Sequence, residues 1–264
     1  MSKSEHPWSR YVALGDSFTE GIGDPEPASP GGNRGWADRV AEQLSIGTDD
    51  FAYANLAVRG KLIRQIAAEQ VEPALALRPD LITISAGGND VIRPGTDPDE
   101  IAAQFDDMIT RLARDNATIV VFTGTDMGFS PVFRSLRGKI AIYNENIRAV
   151  AARHDCVVAD LWALTEIQDP RMWSPDRLHL NPLGHHTVAR MLLDTLNVKN
   201  SLKPLVPAPM PGTTWRQART EDLAWAREYL MPWVLRRIRH QSSGDLVQPK
   251  RPDAGPYDAE HRPV

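Results

Sequence analysis

Five short apolar runs rich in strand-forming residues recur along the chain, at residues 10–14, 51–57, 81–85, 118–123 and 156–161. Each is nearly continuous in its apolar character, the pattern of strands buried on both faces rather than on one. Between them lie stretches with helical spacing of apolar positions, at residues 35–44, 62–77, 98–114 and 133–154. A last such stretch covers residues 182–196, with Pro182 at the first helical position, where its missing N–H costs nothing. Regular alternation of strand and helix predicts a parallel five-stranded sheet covered by helices on both sides, a three-layer α/β/α domain. No internal repeat interrupts the pattern.

Beyond Leu196 the pattern changes. Nine of the 21 prolines fall within residues 199–264, together with eleven basic and seven acidic residues, while the preceding 198 residues hold nineteen basic and twenty-seven acidic. The division predicts a core domain over residues 1–198 and an extension over residues 199–264. Residues 203–212 read as an extended, Pro-rich connector. Residues 220–240 predict a helix. Thr220 can cap it, Glu221 and Asp222 suit its positive end, Arg236, Arg237, Arg239 and His240 suit its negative end, and Pro232 should kink it. Past Gln241 the chain is polar and Pro-rich, which predicts disorder. The helix carries Leu223, Trp225, Ala226, Tyr229, Leu230, Trp233, Val234 and Leu235, too much apolar surface to leave in water. Docking on its own core domain is the expected cover, ahead of a dimer contact or a membrane surface.

Composition narrows the class. The 264 residues are 42% hydrophobic and 24% charged, which is globular. A net charge of −4 argues against a nucleic-acid binder. The single cysteine, Cys156, excludes a disulfide framework or a cysteine metal cluster, and its place in an apolar run predicts a buried, inert thiol. The first ten residues are polar and lack the apolar stretch of a secretory leader, and no run reaches membrane-spanning length. The expectation is a soluble, cytoplasmic protein acting on a small molecule.

Candidate chemistry falls at the carboxyl ends of the predicted strands, where open sheets place their ligands. Gly15-Asp16-Ser17 follows the first run, Gly60 the second, and Gly87-Gly88-Asn89-Asp90 the third. Asp176-Arg177-Leu178-His179 lies between the fifth run and the last helix. Ser17 can serve as a nucleophile with its own N–H aimed at the same spot, or be an ordinary turn residue. Gly60 can offer a backbone donor or simply make a turn, and Asn89 can donate from its amide or cap a helix. Asp176 can orient His179 as a base, provided a turn folds the carboxylate back on Nδ1; the alternative is a surface hydrogen bond. His185 and His186 lie within a helical pattern and read as packed or capping residues. No carboxylate or cysteine joins the three histidines at metal-ligand spacing, so no metal is expected. The first strand is not followed by a G-x-G-x-x-G fingerprint, so no nucleotide cofactor is expected, nor by a G-x-S-x-G elbow, which counts against an ordinary α/β-hydrolase.

Taken in order, Gly15-Asp16-Ser17, Gly60, Gly87-x-Asn89-Asp90 and Asp176-x-x-His179 resemble the SGNH hydrolases, the GDSL family of lipases and esterases. The resemblance covers about residues 10–197 and departs at Phe18, where the family name has leucine. It implies a flavodoxin-like fold and a cofactor-independent serine esterase. Ser17 would be the nucleophile, His179 the base and Asp176 its orienter. The backbone N–H groups of Ser17 and Gly60 and the Asn89 side chain would bind the oxyanion. A carbohydrate O-deacetylase or acyltransferase is the alternative within the family, and a non-catalytic flavodoxin-like binding module the alternative outside it. Loops carrying Met127, Phe129, Val132, Phe133, Met172 and Trp173 are expected to wall an acyl site or to fill the core. The extension has no counterpart in the family's common core.

Overall fold

A computed structural model of the chain describes residues 6–114, 116–209, 215–232 and 243–257. Five parallel strands form as the apolar runs predict: β1 (Arg10–Gly15), β2 (Ala52–Asn55), β3 (Leu81–Ser85), β4 (Thr118–Phe122) and β5 (Val157–Ala159). Interleaved with them are α1 (Ser17–Glu20), α2 (Gly35–Ser45), α3 (Ile63–Glu69), α4 (Val71–Ala76), α5 (Gly88–Val91), α6 (Pro98–Leu112), α7 (Arg137–Arg153) and α8 (Pro182–Thr195). Alternate β1 residues serve two cores. Val12 and Leu14 face one built with α3, α4, α6 and α7, and Tyr11 and Ala13 face the other, built with α2 and α8. The three-layer sandwich expected from the pattern is therefore the architecture observed.

One predicted helix is two. The stretch at residues 62–77 breaks at Gln70, between α3 and α4. Pro73 explains the break, because it has no N–H for the Glu69 carbonyl and its ring would collide there. Cys156 lies one residue before β5 and is half-buried, and burial pushes its thiol up to about 11, in keeping with inertness.

The largest departure concerns the tail. Residues past Gln241 are expected to be disordered, yet Arg251–Pro256 form β6, which pairs antiparallel with β2. The sheet order is thus β5-β4-β3-β1-β2-β6, six strands with one antiparallel at the edge. Lys250, which leads into β6, is buried against Asp38 of α2 and donates to the Arg34 carbonyl at 2.8 Å. Arg251 lies over the Tyr53 and Tyr257 rings, at 5.7 and 5.2 Å from their centroids. The predicted C-terminal helix starts early, as α9 (Trp215–Trp225), and continues as a π-helical turn over Ala226–Leu230. That widened turn precedes Pro232, which cannot donate to the Glu228 carbonyl. Trp233, Val234, Leu235, Arg236, Arg237, Arg239 and His240, expected to continue this helix, lie outside the described residues. Among the described residues no helix is long and apolar enough to cross a membrane.

Candidate active site

The order of the five parallel strands, β5-β4-β3-β1-β2, reverses direction beside β1, so the loops after β1 and β3 leave in opposite directions and open a crevice at their carboxyl ends. Ser17 opens α1, just after β1, and Asn89 lies in α5, just after β3.

The turn out of β1 requires glycine. Gly15 has a φ of +146°, and a Cβ there would lie 2.6 Å from the Ser85 carbonyl oxygen and 2.7 Å from Thr19 Oγ1. Buried Gln70 clamps it, its side-chain amide accepting from the Gly15 N–H and donating to the Gly15 carbonyl, each at 2.9 Å. Asp16 then caps α1 by accepting from the Phe18 N–H at 3.1 Å, which leaves Ser17 as the first helical residue. Burial pushes the Asp16 carboxyl up to about 6, against the bonds it receives from Phe18 and Asn89.

The loops after β2 and β3 are tied to this turn and to each other. Buried Glu20 pairs with Arg59 and accepts its backbone N–H at 2.7 Å, which fixes the Val58–Arg59 peptide just before Gly60. Gly60 itself has a φ of +76°. Asn89 Nδ2 donates to Asp16 Oδ2 at 3.0 Å and to the Lys61 carbonyl at 3.1 Å, while Asp90 accepts from the Ile63 N–H at 3.0 Å. Gly87 has a φ of +86°, and a Cβ there would lie 2.2 Å from Tyr143 Oη, whose hydroxyl donates to the Ala86 carbonyl at 3.1 Å.

Asp176 and His179 make the local turn that their spacing demands. Asp176 Oδ1 accepts the N–H groups of Leu178 and His179 at 2.9 and 3.0 Å, and Oδ2 lies 2.6 Å from His179 Nδ1. Burial raises the Asp176 carboxyl, but the His179 ring and these N–H groups outweigh it and hold the group below its ordinary value. The other ring nitrogen, Nε2, lies 3.0 Å from Ser17 Oγ. Ser17, His179, Asp176, Gly60 and Asn89 all line one cavity of about 550 Å3. Among the apolar residues expected to wall it, Met127, Phe133 and Trp173 do so, whereas Phe129, Val132 and Met172 are not part of its lining.

His185 lies outside this constellation, fully buried, and stacks on Phe18 at 6.3 Å. Its Nδ1 accepts the Trp36 N–H at 3.2 Å, so Nε2 carries the proton and donates to the Ile22 carbonyl at 3.1 Å. His186 bonds the Lys203 carbonyl at 2.8 Å, so both have the packing role the sequence predicts. Among the described residues no group of three or more His, Cys, Asp or Glu side chains is placed to hold a metal. Gln70, the Glu20–Arg59 pair and Tyr143 shape the site without any short-range sequence signal, because each acts across many intervening residues.

A serine, a histidine and an aspartate thus stand in hydrogen-bonded succession at the switch point of a doubly wound sheet, where such folds place their ligands. The model of the GDSL-like lipase/acylhydrolase family matches residues 13–187, and the chain belongs to that family and is a carboxylic ester hydrolase. Similar solved structures share the fold. They include LAE5, an α/β hydrolase from the metagenome of Lake Arreo, Spain (22% identity, TM-score 0.61, 76% of this chain and 99% of that one). Another is Axe2, an acetylxylan esterase from Geobacillus stearothermophilus (20%, 0.59, 75% and 96%), and a third is TesA (20%, 0.57, 70% and 97%). No curated protein matches the chain.

Proposed function

We propose that the protein hydrolyses carboxylic esters through an acyl-enzyme on Ser17. The observation that carries this reading is the continuous path from Asp176 Oδ2 through the His179 ring to Ser17 Oγ, opening on a cavity. With Nδ1–H held by Asp176, Nε2 is the acceptor, the tautomer a general base needs. Ser17 Oγ attacks the ester carbonyl as His179 Nε2 takes its proton. The carbonyl π electrons move to oxygen, and that oxyanion meets the Ser17 and Gly60 N–H groups. In the complex Asn89 turns to it one of the N–H groups now held by Asp16 and Lys61, because catalytic hydrogen bonds tighten only once substrate is present. Collapse breaks the bond to the alcohol, which leaves with the proton from His179. Water then gives a proton to His179 and attacks the acyl carbon, and collapse breaks the bond to Ser17 Oγ, which takes the proton back from His179 as the acid leaves.

The cavity supports hydrolysis of a substrate with an apolar portion. The acetylxylan esterase among the similar structures keeps carbohydrate deacetylation as the second reading. The test is labelling by a fluorophosphonate together with turnover of p-nitrophenyl esters. Labelling that is lost in Ser17→Ala is expected; intact protein that is neither labelled nor active would leave a binding module.

A further inference from the structure

The family match ends at residue 187, and the similar structures cover 76% of this chain or less. Yet Trp225, Glu228, Tyr229 and Pro232, all from the extension, line the same cavity as Ser17 and His179. The same lining includes the apolar side chains of Ile92, Met127, Phe133, Leu136, Ile140 and Trp173.

Arg177 joins the two parts. It lies inside the Asp176–His179 turn in the left-handed region, with a φ of +56°. Its guanidinium lies 4.8 Å from the centroid of the Trp225 ring and pairs with Asp222 at 2.8 Å. Residues 222 and 225 are one helical turn apart, so a single side chain of the histidine loop grips α9 at two points. The polarity is the reverse of that suggested by net charge, since the cation is on the core domain and the acid on the helix.

Trp225 is only 9% exposed, so its ring is packed in place as part of the cavity lining rather than standing free in solvent.

We propose that Trp225 and Tyr229 are specificity-determining residues. They complete the apolar wall of the cavity and select esters with a medium-length apolar acyl chain over acetyl esters. The proposal rests on the ester-hydrolase reading above. A pocket wall that includes two aromatic rings rewards each methylene that it covers, and an acetyl group has too few to gain from it. This assigns the extension a part in the reaction that the matched family span does not contain.

The test uses the full chain and the ratio of kcat/KM for p-nitrophenyl octanoate to that for the acetate, a ratio insensitive to how much of a variant is folded. The wild type is expected to favour octanoate. Trp225→Ala and Tyr229→Ala should each lower the ratio roughly tenfold or more, the range set by apolar contacts in a substrate pocket. Trp225→Phe, which keeps an apolar ring, should hold most of it. A wild type that favours acetate, or a ratio unchanged in both alanine variants, would overturn the proposal. Should the wild type turn over neither ester and Ser17 resist labelling, the hydrolytic mechanism fails separately, and calorimetry with octanoate decides the pocket. Binding weakened roughly tenfold by Trp225→Ala supports it. Equal affinity, or no binding to the wild type, overturns it.

Discussion

His179 and His185 stand six residues apart, both close to the start of α1, and do unlike things with the same ring. His179 has a carboxylate on Nδ1 and a hydroxyl on Nε2, and it borders the cavity. His185 has a backbone N–H on Nδ1 and a backbone carbonyl on Nε2, and it is fully buried. Each pair of partners fixes a tautomer, but opposite ones. Asp176 leaves Nε2 of His179 free to accept a proton, whereas Trp36 forces the proton of His185 onto Nε2, where the Ile22 carbonyl holds it. In the proposed mechanism the base is chosen not by proximity to the serine but by the groups on the two ring nitrogens.

The largest break in this comparison is removal of either end of the proposed proton path. Ser17→Ala and His179→Ala should each cost up to about a million-fold in kcat with folding intact, if the three residues act as a unit. Steady-state turnover beside a thermal melt checks both halves of that expectation. Asp176→Asn keeps the shape but allows the wrong tautomer, and kcat should fall roughly ten-thousand-fold. A smaller loss would mean that the backbone already orients the ring. Asn89→Ala should lower kcat roughly 100- to 1000-fold with little change in KM, because the charge it meets exists only in the transition state. A raised KM at constant kcat would instead make Asn89 a ground-state contact.

The smallest effect on turnover, and the sharpest contrast, belongs to His185. Burial pushes its pKa down to about 4 from the ordinary 6.5, with Arg39 and Lys250 adding to the effect and Asp24 and the Ile22 carbonyl opposing it. Between those values the unfolded chain binds a proton that the folded protein refuses. The stability linked to this ring is therefore complete above 6.5 and is lost as the pH falls toward 4. His185→Gln should flatten that slope in denaturant titrations run at several pH values, lower stability at neutral pH by about 1–3 kcal/mol through imperfectly met backbone groups, and leave turnover within a few-fold. An unchanged acid slope would place the protonation elsewhere.

Legibility followed sequence distance. The strands, their order of appearance and the Asp176-x-x-His179 turn were readable because each depends on neighbours: an apolar run, a glycine exit, a carboxylate reaching N–H groups two and three residues on. Gln70 was unreadable as a clamp, since its partner Gly15 is 55 positions away. The break beside it was within reach, because Pro73 marks it. β6 was hidden for a different reason. The stretch Arg251–Pro256 holds two prolines and a glycine, which read as turn or coil, and its stability comes from Lys250 and Arg251 reaching Asp38 and Tyr53. The half of the C-terminal helix that was expected to carry most of its positive charge lies outside the described residues.

β6 also bears on what the border of the sheet offers to another chain. Without it, β2 would end the sheet with a row of unpaired N–H and carbonyl groups, a template on which another chain could add a strand. With it, the border of the sheet passes to a segment carrying Pro252 and Pro256, which have no N–H to offer. Shortening the chain to residue 198 would thus trade a blunted border for a sticky one, and such a protein is expected to associate more readily than the full chain in light scattering.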